Sequence, residues 1–211
     1  MNTALPLAGT IVLDVSRMLP GAVLVRNLVD LGARVIKVED PSSGDPMRVT
    51  PPLVGGTGAG FLAFFRGVES VTLDLKSHAG AAALRKLARH SDVLLESFRP
   101  GTLERWDLGY ERLAALNPGL VVVSLSSFGS QGPDAGRIGH DLNFTAVTGL
   151  LSELLQGDLP RVQVADVAAG LLAVSATLAA LLLKHRTGRG SHVEQPLVSG
   201  CLLYTSPSPR D

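Results

Sequence analysis

Residues 10–39, TIVLDVSRMLPGAVLVRNLVDLGARVIKVE, contain the pattern that decides the fold. The run at 10–15 is apolar and β-branched without polar alternation, which is typical of a strand buried on both faces. Leucines then recur at helical spacing, at Leu24, Leu28 and Leu31. Gly32 stands where a helix takes its left-handed cap, and 34–39 is a second strand-like run. Together they predict a βαβ unit with parallel strands and a right-handed crossover.

The same alternation continues beyond this unit. Further strands are predicted at 70–75, 93–96, 120–125 and 191–194, and helices at 79–89, around 103 and at 113–116. Residues 40–60 hold five glycines and four prolines, which predicts a loop. The fold class is therefore α/β: a Rossmann-like, doubly wound, mainly parallel sheet with ligands beyond the carboxyl ends of its strands. The loops after Val15, Glu39, Glu96 and Leu125 should share that rim.

Composition limits the partners. Nineteen basic and nineteen acidic residues cancel in a chain of 211, so we expect no nucleic acid and no anionic membrane surface as a partner. One cysteine predicts neither a disulfide framework nor a cysteine-based zinc site, and no metal site is expected. The first strand is not followed by a G-x-G-x-x-G motif, which argues against a nicotinamide site. The amino terminus lacks a signal-peptide pattern, and we expect a cytoplasmic protein.

Residues 167–183 carry no charge, so a membrane span has to be weighed against a buried helix. The run is shorter than the roughly 20 residues that a span needs, and it is rich in small residues. Asp166 and Lys184 flank it. A buried helix with Asp166 at its amino terminus is therefore predicted, where the helix dipole stabilises a carboxylate.

The strongest functional signal is the pairing of His140 with Asp166, 26 positions apart. His140 lies in the sequence Gly-His-Asp at 139–141, and about one helix and one turn separate it from Asp166. Both side chains could then face one pocket, where a histidine and a carboxylate supply acid and base near neutral pH. The alternatives are structural: a loop or cap histidine, and an aspartate that caps a helix.

Short motifs in a fixed order give the chain a resemblance to a known family. They are VLD (12–14), LGARVIKVE (31–39), LDLK (73–76), SDVLLE (91–96), FRPG (98–101), NP (117–118), SFG (127–129), GP (132–133) and TGRG (187–190). In these motifs the sequence resembles the amino-terminal portion of class III (family III) CoA-transferases. That family includes formyl-CoA transferase, carnitine CoA-transferase and α-methylacyl-CoA racemase.

The resemblance implies one of two roles for Asp166. In the transferase branch the matching aspartate is a nucleophile that passes through a mixed anhydride and an aspartyl-CoA thioester. In the racemase branch it moves a proton together with the histidine of a Gly-His-Asp motif. Because this chain has that motif, we expect an α-carbon racemase or epimerase of 2-methylacyl-CoA type. The alternatives are CoA transfer between carboxylic acids and an inactive, truncated fragment.

The resemblance also implies where coenzyme A lies, as part of an acyl-CoA substrate and with no prosthetic group. Six residues match the family's nucleotide and pantetheine channel: Leu73, Lys76, Ser97, Phe98, Arg99 and Arg105. Two departures remove positive charge near the expected phosphates. Asp40 stands where members often have arginine, and FRGVE at 65–69 replaces a basic segment.

The end of the chain departs from the family pattern. Members continue into a smaller domain and form interlocked homodimers, so residues 1–200 are expected to be an incomplete large domain whose small domain is missing. Residues 201–211, CLLYTSPSPRD, resemble a translated sequencing adapter and are expected to be a non-native tail that includes the cysteine.

Overall fold

The computed structural model describes residues 5–155 and 157–205 of the chain. Its main sheet has six strands, all paired in parallel, in the spatial order β5-β2-β1-β6-β7-β8. They are β1 (Ile11–Asp14), β2 (Arg34–Glu39), β5 (Glu69–Thr72), β6 (Val93–Glu96), β7 (Val121–Ser126) and β8 (His192–Pro196). The predicted α/β class and parallel sheet are confirmed. The strands run 3-2-1-4-5-6 along the chain, which is the Rossmann order and puts the switch point between β1 and β6.

Helices cover both faces of this sheet. They are α1 (Met18–Asp30), α2 (Ala59–Phe64), α3 (His78–Ala88), α4 (Thr102–Arg105), α5 (Tyr110–Leu116), α6 (Asp141–Val147), α7 (Leu150–Leu154), α8 (Val164–Thr187) and α9 (Ser199–Thr205). Side chains from alternate strand positions form two separate apolar clusters. Val12 packs on the side of α1 and α8, and Leu13 packs on the side of α3 and α5. This alternation explains why the strands are apolar throughout.

The loop prediction for residues 40–60 is only partly correct. A short 3₁₀ helix (Pro46–Arg48) and a hairpin of β3 (Leu53–Val54) and β4 (Thr57–Gly58) lie within it. The turn between β3 and β4 uses Gly55 and Gly56 at positive φ, which is the conformation glycine supplies without steric cost. The abundant glycines and prolines therefore build a compact segment here.

The buried Lys37 anchors that segment to the sheet. Its Nζ lies 2.9 Å from Asp14 Oδ2 and 2.8 Å from Asp45 Oδ2, and it donates to the Ser16 carbonyl over 3.0 Å. It also lies 4.4 Å from the centre of the Phe65 ring. Burial lowers the pKa of Lys37, but Asp14 and Asp45 outweigh it and the net pKa is raised. The loop after β1 and the 40–60 segment thus share one ammonium group.

Helix α8 begins three residues before the predicted run at 167 and ends four after it. Its buried face is made of small residues, among them Ala169, Gly170, Ala173 and Thr177, and it packs on α1. By length and composition alone α8 could cross a membrane, since an 18-residue window within it has a mean hydropathy of 2.0. In this structure 33% of that window is buried. The expectation of no membrane partner stays a prediction.

The expected boundary at residue 200 falls inside a helix. Helix α9 packs against α8, and Cys201 is buried in a cluster with Phe144, Leu150 and Ala165. Residues 206–211 lie outside the described residues. The interpretation of 201–211 as a non-native tail stays a prediction, and its cysteine occupies core space in this structure.

We expect Gly170→Ala to lower the free energy of unfolding by about 1–3 kcal/mol. An added Cβ would lie 2.9 Å from both the Pro20 carbonyl oxygen and the Val23 Cβ, too close for either. This clash should outweigh the roughly 1 kcal/mol by which alanine favours a helix over glycine. Chemical denaturation measures the effect. Ser175→Ala, at an exposed position of the same helix, is the control and should be neutral to slightly stabilising. A more stable Gly170→Ala protein would refute the close packing of α8 on α1.

Candidate active site

A cavity of about 540 Å³ opens at the carboxyl edge of the sheet. The segments that follow β1, β6 and β7 form its walls, together with the amino-terminal ends of α6 and α8. Three of the four loops expected to share the rim meet here, and Asp40, from the loop after β2, lines an adjoining crevice. The topology thus brings distant parts of the chain to one place.

Asp166 lies in the wall of this cavity as the third residue of α8, and it is 7% exposed. Gln163 Nε2 donates to its Oδ2 over 3.1 Å, and its backbone N–H donates to Asp141 Oδ1 over 3.1 Å. The pKa of Asp166 is raised to about 6, mainly by burial and also by the charge of Asp141, while the charge of His140 lowers it. Asp166 is therefore a carboxyl group that is largely shielded from solvent and has a pKa close to neutral pH.

His140 lines the same cavity from the start of α6. Its backbone N–H donates to Asn143 Oδ1 over 2.8 Å, which caps the helix, and the residue is exposed. Gly139 before it is buried, and a Cβ there would lie 2.6 Å from Phe144 Cε1, so the motif's glycine is needed for packing. The structure brings His140 and Asp166 to one cavity, and their catalytic roles stay predictions.

Asp141 is a site residue that the sequence reasoning did not single out. It is 5% exposed at the first position of α6, and its Oδ1 accepts the Asp166 N–H. The signal was its place beside His140 in the Gly-His-Asp motif. Two helix amino termini thus bring two carboxyl groups together, and each helix dipole favours the negative charge.

Four of the six residues expected along the CoA channel line the main cavity, namely Ser97, Phe98, Arg99 and Arg105. The other two, Leu73 and Lys76, line the crevice beside it. Arg17 and Phe98 line both the cavity and the crevice, so they connect the expected CoA residues of one with those of the other. The geometry fits a channel, and coenzyme A binding by these residues stays a prediction.

Two arginines of the cavity were missed by the sequence reasoning. The Arg17 guanidinium lies 5.4 Å from the centre of the Phe98 ring, and the Arg137 guanidinium lies 5.2 Å from that of Phe128. Such stacking holds a cation over an aromatic face. Arg17 follows β1 at the edge where a doubly wound sheet binds ligands, and that position was its available signal.

The departure at Asp40 places an anion in the crevice with Lys76. Hydrogen bonds from Ser42 lower the pKa of Asp40 to about 2, so the carboxylate stays charged at neutral pH. In the segment 65–69, where the family has basic residues, the Phe65 ring packs on Lys37, and Glu69 pairs with Arg34.

Among residues 5–155 and 157–205, no group of three or more His, Cys, Asp or Glu side chains could hold a metal ion.

Comparisons with known proteins agree with this geometry. The family model described as CoA-transferase family III matches residues 7–210. Human succinyl-CoA:glutarate CoA-transferase is 37% identical over 212 residues, covering 97% of this chain and 48% of that protein. Acetyl-CoA:oxalate CoA-transferase of Acetobacter aceti is 35% identical over 204 residues, covering 94% of this chain and 52% of that protein. The chain thus spans about half the length of the curated relatives it matches.

One solved structure shows the same fold over nearly the whole chain. It is the crystal structure of a CAIB/BAIF family protein from Brucella suis, which superposes with a TM-score of 0.88 at 35% identity. The match covers 98% of this chain and 60% of that one. The large parallel sheet and its helices are therefore shared with a protein that is longer than the chain described here.

Asp166→Asn should shift stability in a pH-dependent way. Since the folded pKa of about 6 lies above the ordinary 3.8, the acid's contribution to stability is full below pH 3.8 and is lost as the pH rises through 6. The variant should therefore gain up to about 3 kcal/mol relative to wild type between pH 4 and pH 8, at 1.36 kcal/mol per pKa unit. Denaturation at both pH values measures it, with the exposed Asp158→Asn as control. An equal difference at both pH values would show that Asp166 is not desolvated.

Proposed function

We propose, since this chain belongs to CoA-transferase family III, that its full-length protein transfers coenzyme A between carboxylic acids through Asp166. One observation carries the proposal. A buried carboxyl with a pKa of about 6 lies in the wall of the cavity that four of the six expected CoA residues line. Both relatives reported above are named CoA-transferases, which favours the transferase alternative over the racemase expectation.

Asp166 suits nucleophilic attack on a thioester. Above pH 6 it is ionised, and aspartate carboxylates are among the side chains that form covalent intermediates with substrates. Its burial leaves little water to compete, and the bond from Gln163 orients one oxygen. His140 lines the same cavity, and its charge lowers the pKa of Asp166.

The proposed transfer passes through two kinds of covalent intermediate on Asp166, a mixed anhydride and a thioester. Asp166 Oδ attacks the thioester carbonyl, the C–S bond breaks, and coenzyme A leaves as the thiolate while a mixed anhydride forms. The thiolate then attacks the Asp166 carbonyl carbon and releases the donor carboxylate, which leaves an aspartyl-CoA thioester. The acceptor carboxylate attacks that thioester, and the same two steps in reverse form the new acyl-CoA and free Asp166. No redox change and no additional cofactor are needed.

Positive charge around the cavity supports a phosphate-bearing substrate. Arg17, Arg99, Arg105 and Arg137 line the main cavity, and Lys76 lines the crevice. Guanidinium groups bind phosphates with paired, charge-assisted hydrogen bonds. The names of the two relatives pair a CoA thioester with glutarate or oxalate, so a small dicarboxylate is the proposed acceptor class. The cytoplasmic location and the interlocked homodimer are likewise proposals, which rest on the composition and the resemblance.

Trapping tests this function directly. During turnover with succinyl-CoA and a dicarboxylate, hydroxylamine should convert Asp166 to a hydroxamate that mass spectrometry detects. Asp166→Asn should lose at least about a thousandfold in transfer rate and show no trapping. Asp158→Asn, at an exposed position, should behave as wild type. Full transfer activity with Asp166 unmodified would exclude the proposal.

A second candidate is the α-carbon racemase, and the shared cavity of His140 and Asp166 is the observation that favours it. A base on one side of an α-carbon and an acid on the other would exchange its proton. The bond from Gln163 and the charge of His140 both act on the same carboxylate, so the two functions use one set of residues in different ways.

Deuterium exchange separates the two candidates. Under the transferase proposal, the protein should not exchange the α-proton of 2-methylacyl-CoA faster than buffer does, and His140→Ala should retain transfer. Exchange that depends on both His140 and Asp166, without hydroxamate at Asp166, would instead establish the racemase.

A further inference from the structure

A second cavity of about 180 Å³ adjoins the main one, and the segment Phe98, Arg99 and Pro100 forms the wall between them together with Ser126. Phe98 and Arg99 are two of the residues expected to contact coenzyme A. The position of this thin wall therefore decides where an aromatic ring and a guanidinium meet the substrate. The contacts that hold this wall in place therefore matter for substrate binding.

Glu96 lies behind the wall. It is the last residue of β6 and is 7% exposed, whereas the three residues before it are fully buried and apolar. It lines the second cavity and is absent from the lining of the main one. Its Oε2 accepts the Phe98 backbone N–H over 2.7 Å, so the carboxyl closes a tight turn at the start of the wall.

The same carboxyl is anchored to the sheet on its other side. Ser124, the register partner of Glu96 on β7, interacts with the carboxyl and lowers its pKa. Ser124 Oγ also lies 2.8 Å from His192 Nε2, and the His192 ring stacks on Tyr110 at 5.0 Å between ring centres. A chain of contacts thus runs from β8 through β7 to the backbone of Phe98.

Charge in the second cavity does not explain the carboxyl. The pKa of Glu96 is raised to about 7, mainly by burial and also by the charges of Glu104 and Glu194, while Ser124 and the Phe98 N–H lower it. An apolar side chain would avoid this cost of burial. What the acid supplies that an apolar residue would not is an acceptor for the Phe98 N–H and for Ser124.

We propose that Glu96 is a positioning residue for coenzyme A: it holds the Ser97–Arg99 segment at the cavity wall through its bond to the Phe98 N–H, with its register partner Ser124 beside it on β7. The inference rests on the CoA binding of the proposed function and not on the nucleophilic role of Asp166. Ser97 extends the effect, because its Oγ accepts the Arg17 N–H over 2.8 Å and so connects the loops after β1 and β6.

Matched variants test this role. Glu96→Ala removes the acceptor and should weaken binding of free coenzyme A, measured by calorimetry, by about tenfold. The KM for succinyl-CoA should rise by the same factor while kcat stays within about twofold of wild type. Glu96→Gln keeps an amide oxygen in the same place and should stay within about threefold. Glu104→Ala removes a neighbouring carboxyl that makes no bond to the segment, and it should not weaken binding.

The outcomes are separable. Wild-type affinity in Glu96→Ala, or equal loss in the Gln and Ala variants, overturns the inference, and so does a wild-type protein that binds no coenzyme A. A lower kcat with unchanged KM means a merely structural role and also overturns it. If Glu96→Ala does not fold, Glu96→Asp replaces it, since the shorter side chain cannot reach both partners and should raise the Kd severalfold. Calorimetry on Asp166→Asn protein gives the answer even where acyl trapping fails.

Discussion

Parallel pairing of the six strands is the constraint on which the rest of the structure depends. In a parallel sheet all carboxyl ends meet at one edge, and the strand order reverses between β1 and β6. Residues 17, 98, 140 and 166 lie far apart in the chain, yet they share one cavity because each follows or faces that edge.

Buried charge is concentrated at the same edge. Asp14, Lys37 and Glu39 lie at or near the ends of β1 and β2, Glu96 ends β6, and Asp141 and Asp166 lie at the starts of two helices, where the Asp166 N–H donates to the Asp141 carboxylate. Lys37 shows how such charges are satisfied, with two carboxylates, a carbonyl and an aromatic ring around one ammonium. Asp166 accepts one side-chain hydrogen bond, from Gln163, and its raised pKa reflects a cost in stability.

Much of this arrangement could be predicted from the sequence, because strong periodicity and capping are local. The βαβ unit at 10–39, the apolar helix after Asp166 and the placement of His140 and Asp166 at one cavity all follow from such patterns. The 3₁₀ helix inside residues 40–60 could not be predicted, since the ion pairs of Asp45 with Lys37 and of Arg48 with Glu39 that hold it to the sheet form only in the folded chain. Arg17, Arg137 and Asp141 were missed because their roles depend on a stacking partner or a neighbouring carboxyl that only the tertiary fold supplies.

Whether burial raises the pKa of Asp166 and His140 lowers it can be measured directly. The experiment is a titration of the Asp166 carboxyl by carbon NMR, with selectively labelled aspartate and with Asp166→Asn for assignment. We predict a pKa of about 6 for Asp166, which rises further in His140→Ala protein because removing the histidine removes a positive charge. A value at or below about 4, the ordinary range for aspartate, or one that ignores His140, would contradict it.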